Sequence, residues 1–395
     1  MQKANKGEWS ELYAFARLLK DGKIYAADEY ANRVNDVYFP IIKLVRSDDG
    51  DQDIYYHPGD KICIYKNGIL LGEVDTDYLD ENIIILFNSI FKGGEEKGAF
   101  EIPELNSFLE TFMISRIKSP SDEKIDIRMQ IHDIKTGFSP EVGFSVKSDV
   151  GNAPTLLNAG TNTRFRYQVF GINDGDMNEI NSIDKSKEKE YMKARFRELF
   201  NRASSVKYYK MLDSTFENNL MLIDSMLPEI YGYFILYHFM TMSEKHIDCE
   251  ALCTLLEREN PLGYSRPNFY TYKIKKMLCA SALGMTPGKA WDGYEAATGG
   301  YIIVKRDGEV LCYHIYNRNF FESYLLKNTT IDRPSASRHD YAYVFKEGDK
   351  YFIDMNIQIR FKSISNSKKT CDKDDGYFDR LSAYINKMNY STKHN

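Results

Sequence analysis

The sequence predicts an α/β (α+β) protein with a mixed central sheet flanked by helices, and three patterns support this prediction. In residues 8–20 the apolar side chains recur at helical spacing, and Gly22 is a natural stop. Residues 36–75 have the pattern of short strands separated by turns, and Asn67–Gly68 is a strong hairpin signal. From Gly299 onward, strands return in hairpins around a short helix. This order of elements indicates a mixed protein in which helices cover a sheet.

Composition and charge restrict the classes of function. Of the 395 residues, 43% are apolar and 28% are charged, which is the balance of a folded chain and excludes wholesale disorder. The formal net charge is 52 − 57 = −5, whereas proteins that coat nucleic acid are usually basic. Any binding to DNA is therefore expected to use a local basic cleft.

Cysteine use and hydropathy favour a cytoplasmic protein with no membrane segment. The six cysteines are scattered and form no CxxC pair, so we expect reduced thiols rather than a zinc site or disulfides. The first residues contain no apolar run typical of a signal peptide. The longest apolar stretch, 230–242, is too short to span a bilayer, so we interpret it as a buried helix.

Composition along the chain predicts four segments. The first carries the N-terminal helix and a small β-rich region, the second a catalytic hairpin and a helical part, the third a β/α region, and the fourth a polar tail. Within the second segment we expect a basic helix over 191–211 and helical structure throughout 216–285. The four segments are 1–120, 121–298, 299–362 and 363–395.

Residues 130–149 carry the side chains that suggest chemistry. QIHDIKTG and EVGFSVKS have the pattern of two paired strands, with FSP as the connection. If the loop is 138–140, Asp133 lies opposite Ser145, with their Cβ atoms ~5 Å apart. Lys147 points to the same face as Ser145, because side chains alternate along a strand. Asp133, Ser145 and Lys147 are therefore expected to share one small patch.

An Asp on one strand and a nearby Lys on the next is the arrangement of the PD-(D/E)xK nucleases. Hydrolysis of a phosphodiester is assisted by a divalent cation, and Mg²⁺ prefers carboxylate, carbonyl and water oxygens. We expect Asp133 and the backbone carbonyl of Val146 to hold Mg²⁺, and Lys147 to orient the attacking water. By itself the S-x-K pattern has no specificity, and such a strand is more often a plain exposed face.

The second carboxylate must come from another position, because Ser145 stands where these nucleases usually have an acid. Glu141 and Asp149 share its strand face and are candidates. Glu11, on the first helix, is a further candidate, since that helix supplies an acid in many nucleases of this kind. The simpler explanation for Glu11 is favourable charge near a helix N-terminus.

Four long blocks of the sequence carry a resemblance to a known family. The blocks are NKGEWSELYAFARLLKDGKIYAAD at 5–28, GFSVKSDVGNAPTLLNAGTNTRF at 143–165, GGYIIVKRDGEVLCYHIYNRNFFESYLL at 299–326, and SRHDYAYVF with NIQIRF within 337–361. In these blocks the chain resembles the HpaII-type family of type II restriction endonucleases.

This resemblance implies a restriction-endonuclease-like core centred on the hairpin, with β-rich N-terminal and C-terminal regions that wrap DNA. It also implies Mg²⁺-dependent cleavage of a short palindrome. The specificity of the family's namesake is CCGG, cut between the two cytosines. The resemblance matches Asp133 and Lys147 to the nuclease motif.

The expected partners follow from this resemblance. They are double-stranded DNA, cut to 5′-phosphate and 3′-hydroxyl ends, and a cognate methyltransferase encoded separately. A homodimer reads a palindrome most simply, although monomeric enzymes also do so. Two alternatives stay open: a structure-specific repair or recombination nuclease of the same fold, and a catalytically decayed DNA-binding protein in which Ser145 marks the lost site.

Eight residues are candidate DNA contacts. Asn and Arg side chains can bond adenine and guanine edges, and a basic helix can bind phosphates. Turn chemistry, a solvated helix face or a plain connecting loop would explain the same residues without DNA. The candidates are Asn158, Thr161, Asn162, Arg164, Arg195, Arg197, Arg338 and His339.

Overall fold

The computed structural model describes most of the chain and divides it into two compact units. The first unit comprises Met1–Pro154, Ala282–Gly284 and Tyr294–Tyr324, and the second comprises the rest. The segment boundaries predicted at residues 120, 298 and 362 stay a prediction. The described residues are 2–48, 52–93, 98–117, 125–150, 153–184, 190–241, 247–314, 317–334, 341–362 and six positions between 378 and 386.

A nine-stranded mixed sheet forms the centre of the first unit. Its strand order is β1-β12-β11-β7-β6-β2-β3-β4-β5. The pairs β1–β12 and β11–β7 are parallel and the other neighbours are antiparallel, so the predicted mixed sheet is confirmed. The strands are β1 (Lys23–Ala27), β2 (Arg33–Asp48), β3 (Gln52–His57), β4 (Lys61–Lys66), β5 (Ile69–Asp75), β6 (Ile127–Ile131), β7 (Glu141–Ser148), β11 (Gly300–Val304) and β12 (Val310–His314).

The first helix, α1 (Lys6–Asp21), confirms the helix predicted at 8–20 and packs against β7. A capping box between Asn5 and Glu8 begins it, and Gly22 ends it in the left-handed conformation at φ 59°. Its apolar face is almost wholly buried in the core of the unit, and Trp9 also donates a hydrogen bond to the Phe100 carbonyl. Helices α2 (Tyr78–Lys92) and α3 (Asn106–Thr111) complete this layer. Capping interactions therefore define where α1 begins and where it ends.

The β4–β5 hairpin confirms the turn predicted at Asn67–Gly68. Both residues have positive φ, 52° and 75°, as a tight two-residue hairpin of this type requires.

The second unit contains two antiparallel sheets. The four-stranded sheet has the order β10-β9-β15-β14, and the three-stranded sheet has the order β13-β16-β8. Strand β9, over residues 164–170, is an inner strand of the larger sheet. The strands are β8 (Thr155–Leu157), β9 (Arg164–Phe170), β10 (Ser205–Met211), β13 (Thr329–Asp332), β14 (Val344–Glu347), β15 (Lys350–Asn356) and β16 (Gln358–Phe361).

Six helices lie wholly or mainly in the second unit, and α10 (Arg318–Asn328) begins in the first. The predicted buried helix over 230–242 corresponds to α7, whose residues are buried on nearly all sides. Among the described helices none alone is long and apolar enough to cross a membrane, and α6 with α7 reaches that length only as a pair bent by 109°. The six are α4 (Asp174–Asn181), α5 (Tyr191–Arg202), α6 (Ser214–Ile223), α7 (Leu227–Met240), α8 (Cys249–Glu259) and α9 (Phe269–Leu283).

The predicted basic helix over 191–211 was too long. Helix α5 ends at Arg202, and residues 205–211 form strand β10 instead. The segment Ser-Val-Lys-Tyr-Tyr-Lys contains a β-branched residue and adjacent aromatic residues, which favour a strand over a helix. Pairing with β9 then fixes it as an edge strand.

Candidate active site

Asp126 is the acid that faces the S-x-K strand. Its backbone N–H donates to the Phe144 carbonyl at 2.9 Å, which sets it at the start of β6 and opposite Ser145. Its Oδ2 accepts a hydrogen bond from the Val146 N–H at 2.6 Å and another from Ser145 Oγ at 3.2 Å. The carboxylate is therefore held against β7 by both the backbone and the side chain of that strand.

The predicted register, with Asp133 opposite Ser145, was wrong. Strand β6 ends at Ile131, and Gln130 rather than residue 137 pairs with Glu141, so the connection is residues 132–140 instead of three residues. Asp133 lies in this connection, is 5% exposed, and accepts hydrogen bonds from the Lys135 N–H at 2.9 Å and from Thr136 Oγ1 at 2.8 Å. These bonds close an Asx-type turn, which is why the chain leaves the strand before reaching Asp133.

Lys147 lies two residues beyond Ser145 and on the same face of β7. The neighbouring parallel strand β11 places Tyr301 beside Ser145, where Tyr301 is fully buried against Phe321. Phe144 and Val146 point the other way, into the core that includes the apolar face of α1. The strand thus separates an apolar face, which holds the unit together, from a polar face that carries Ser145 and Lys147.

Glu11 is electrostatically coupled to the same site. Burial raises the pKa of its carboxyl to about 8; the negative charge of Asp126 adds to the rise, and Lys147 opposes it. Arg46 also opposes it, from a position where its guanidinium bonds the Arg116 carbonyl at 2.6 Å. Glu11, Asp126 and Lys147 are therefore close enough to influence each other's charge.

The oxygen donors of this site suit a hard divalent cation. Glu11 and Asp126 are both half-buried, and the negative charge of Asp126 adds to the larger rise that burial causes in the pKa of Glu11. A cation held by both carboxylates would remove that repulsion. Carboxylate, hydroxyl and backbone carbonyl oxygens are the ligand types that Mg²⁺ takes. In the described ranges no group of three or more His, Cys, Asp or Glu side chains has the geometry of a metal cluster, so the fit rests on these two acids.

The other predicted metal ligands lie apart from Asp126. Glu141 begins β7, four residues or about 13 Å along the strand from Ser145, and forms an ion pair with Lys43 at 3.0 Å. Asp149 follows β7, and its N–H bonds the Val304 carbonyl at 2.9 Å. Burial raises the pKa of Asp149 to about 6, against the opposing charges of Arg306 and Lys305.

Arg195 is not on an exposed basic face, because it is completely buried. Its guanidinium donates to the Ala342 carbonyl at 3.0 Å and to the Ile183 carbonyl at 2.6 Å, and it lies 4.2 Å from the centre of the Tyr343 ring. Arg195 therefore joins elements within the second unit. Arg197, two residues further along the same helix, is exposed to solvent.

The remaining DNA-contact candidates have mixed surroundings. Asn158 and Thr161 are exposed, and Arg164 is partly exposed at the start of β9. Asn162 donates to Asp213 Oδ2 at 2.7 Å, which ties it to the cap of α6. Arg338 and His339 lie outside the described residues. All of these stay predictions as DNA contacts.

The sequence pattern contained a signal for Asp126 that the hairpin interpretation missed. Ile127, Met129 and Ile131 are buried in alternation, so the strand begins directly after Asp126. This alternation places Asp126 at the start of the strand, and the observed pairing of Ile127 with Phe144 then sets Asp126 opposite Ser145.

Comparison with known proteins establishes the class of protein to which the chain belongs. Residues 5–361 match the family described as HpaII restriction endonuclease, so the chain belongs to that family and is a type II restriction endonuclease, a site-specific deoxyribonuclease. It is 37% identical over 361 residues to the type II restriction enzyme HpaII of Haemophilus parainfluenzae, covering 90% of this chain and 98% of that protein. No solved structure matches. The family expected from the sequence blocks is confirmed.

Proposed function

We propose that this enzyme cleaves both strands of DNA at the palindrome CCGG in a Mg²⁺-dependent reaction that leaves 5′-phosphate and 3′-hydroxyl ends. The observation that carries the proposal is the seating of Asp126 on the Val146 N–H and Ser145 Oγ, within electrostatic reach of Glu11 and Lys147. The target sequence follows from the family resemblance and from identity that extends over nearly the whole relative.

Asp126 and Glu11 would hold the Mg²⁺ ion, with the Val146 carbonyl as a further oxygen donor. When bound, the ion supplies charge neutralisation at the scissile phosphate and lowers the pKa of bound water. Glu11 then fills the place of the acid that Ser145 lacks. This assignment replaces Asp133, which closes a turn, and gives Glu141 and Asp149 no role as ligands.

The chain's own groups position the reactants. The Val146 N–H and Ser145 Oγ fix Asp126 Oδ2, so the carboxylate does not need to reorganise when DNA binds. Lys147, on the same face, is placed to donate to the attacking water or to a phosphate oxygen and to stabilise negative charge there. Tyr301 and Phe321, whose buried rings contact each other, form an apolar neighbour to Ser145 on this face.

This arrangement removes the main argument for the alternative that the chain is a catalytically decayed DNA-binding protein. That argument depended on Ser145 replacing the second acid, whereas Glu11 is a second acid whose carboxyl feels the charges of Asp126 and Lys147. The repair-nuclease alternative predicts cuts at junctions or ends with no common sequence. Membership of a site-specific family favours discrete cuts.

A plasmid digest tests the proposal. Discrete fragments whose ends share CCGG, lost in EDTA and blocked by cytosine methylation of the site, are the expected result, because a methyl group changes the major-groove edge. Ends with no common sequence would refute site-specific cleavage at CCGG, and undiminished cutting in EDTA would refute the metal mechanism.

The proposed cellular setting follows from the substrate. We place the enzyme in the cytoplasm with its DNA, together with a separately encoded methyltransferase that protects host sites. A homodimer would present two copies of the site to the two strands of a palindrome. Sedimentation of the enzyme with and without a CCGG duplex distinguishes a dimer from a monomer.

A further inference from the structure

The edge strand β10 presents an outward row of cationic and aromatic side chains. Its pairing with β9 shifts between Tyr208 and Lys210, so Tyr209 is an extra residue in a bulge. Tyr208 points inward, against Gly232 of α7, while Lys207, Tyr209 and Lys210 are all exposed. A bulge re-aims side chains at a sheet edge, and here it turns two successive residues towards solvent. We call Lys207, Tyr209 and Lys210 the β10 strip.

Aromatic contacts order this strip. Tyr209 is 50% exposed, yet its ring lies 5.2 Å from that of Phe352 on the same sheet face. Lys210 Nζ lies 5.9 Å from the Tyr209 ring, and Lys207 Nζ lies 5.6 Å from the ring of Phe170. The lysine stems therefore rest on aromatic surfaces with their charges in solvent.

In the described part of the chain, basic side chains of this four-stranded sheet are paired with acids at its β14 edge and centre but not at its β10 edge. On the opposite edge, Lys346 is paired with Asp174 at 2.9 Å, and in the middle Arg166 is paired with Asp354 at 2.8 Å. Neither Lys207 nor Lys210 forms an ion pair with any residue that the structure describes. In a chain of net charge −5, the β10 edge is thus a local positive strip.

We propose that Lys207, Tyr209 and Lys210 bind the phosphate backbone of duplex DNA. The two lysines are three residues apart, about 10 Å along an extended strand. That spacing lets the two lysines contact two different phosphates of one strand, since successive phosphates are separated by ~3.4 Å of axial rise. Lys and Tyr both bond phosphate oxygens, and such contacts add affinity without reading sequence. The inference rests on DNA being the substrate, and it concerns binding rather than the chemistry at Asp126.

Salt-dependent binding tests the β10 strip. Full-length enzyme in EDTA is titrated into a fluorescent 24-bp duplex containing CCGG and into a second duplex with those bases scrambled. The K207A/K210A variant should lower the slope of log K against log salt by about 1.8, because each phosphate contact contributes ~0.9. If the two lysines contribute nothing to binding at 1 M salt, this difference in slope makes K207A/K210A bind about 60-fold more weakly than the wild type at 0.1 M salt, equally for both duplexes.

Matched variants isolate the cause. K207R/K210R keeps both charges and should keep the slope, and Lys346→Ala removes a lysine already paired with Asp174 and should not change it. Tyr209→Phe should weaken binding to both duplexes by a similar, smaller factor, since it removes only the hydroxyl donor.

Three results would overturn the β10 strip as a backbone contact. They are an unchanged slope in K207A/K210A, a loss confined to the CCGG duplex, and an equal loss in Lys346→Ala. A failure of the catalytic proposal would give a different result. Asp126 variants would then cleave at the wild-type rate, while the binding curves described here would stay as predicted.

Discussion

Exchanging Asp126 for Asn should abolish cleavage while leaving the fold intact. The amide oxygen of Asn can still accept the hydrogen bond that the Val146 N–H donates at 2.6 Å, so the free energy of unfolding should change by only about 1 kcal/mol. The variant lacks the negative charge with which Asp126 is proposed to hold Mg²⁺. Loss of one electrostatic contributor of this kind typically costs ~3–4 kcal/mol of transition-state stabilisation, a rate drop of ~10²–10³.

Asp133→Asn is the matched control, since it makes the same chemical change in the neighbouring turn. Asp133 accepts two hydrogen bonds, and changing them from charged to neutral should cost about 2 kcal/mol of stability, or ~4–8 °C in melting temperature. Its cleavage rate below the melting transition should match that of the wild type. The assay is single-turnover cleavage of an end-labelled CCGG duplex, beside thermal melting of each variant. The register-based assignment would be refuted if Asp133→Asn cleaved slowly while melting at the wild-type temperature, and Asp126→Asn cleaved at the wild-type rate.

Three further outcomes are expected. Lys147→Ala should slow single-turnover cleavage by ~10²–10³ without changing the melting temperature, whereas removing the exposed Lys135 nearby should change neither. The pKa of Glu11 in the folded protein is raised from 4.5 to about 8. The melting temperature of metal-free wild-type enzyme should therefore fall as pH rises from 4.5 to about 8, and that of Glu11→Gln should not show this fall. Arg195→Ala should destabilise the second unit by ~3–5 kcal/mol, because buried carbonyls lose a charged donor, while melting of Arg197→Ala should match the wild type.

Local signals were sufficient to predict much of the fold. The apolar spacing of α1 and the Asn67–Gly68 turn act within a few residues, so the sequence shows them directly. The β10 segment was misjudged because its basic residues continue those of α5. Pairing with β9, which decides its conformation, is a contact with residues about 40 positions earlier in the chain.

The site was predictable in kind but not in register. The S-x-K strand was visible in the sequence, and Glu11 on α1 was one of several candidates for the second acid beside Glu141 and Asp149. Which aspartate faces Ser145 depends on the length of the β6–β7 connection, and a turn closed by Asp133 itself made that connection longer than Gly and Pro positions suggested. Arg195 shows a second limit: a basic helix pattern does not reveal which arginine is buried.

The long separation in sequence between the strands around β7 has a consequence for how the enzyme is made. Strand β7 lies between β6, which the ribosome has already produced, and β11, which ends at Val304 of the 395 residues. Until that point a nascent chain holds Glu11, Asp126 and Lys147 but leaves one edge of β7 unpaired. The sheet around β7 is therefore completed only after about three quarters of the chain has been translated.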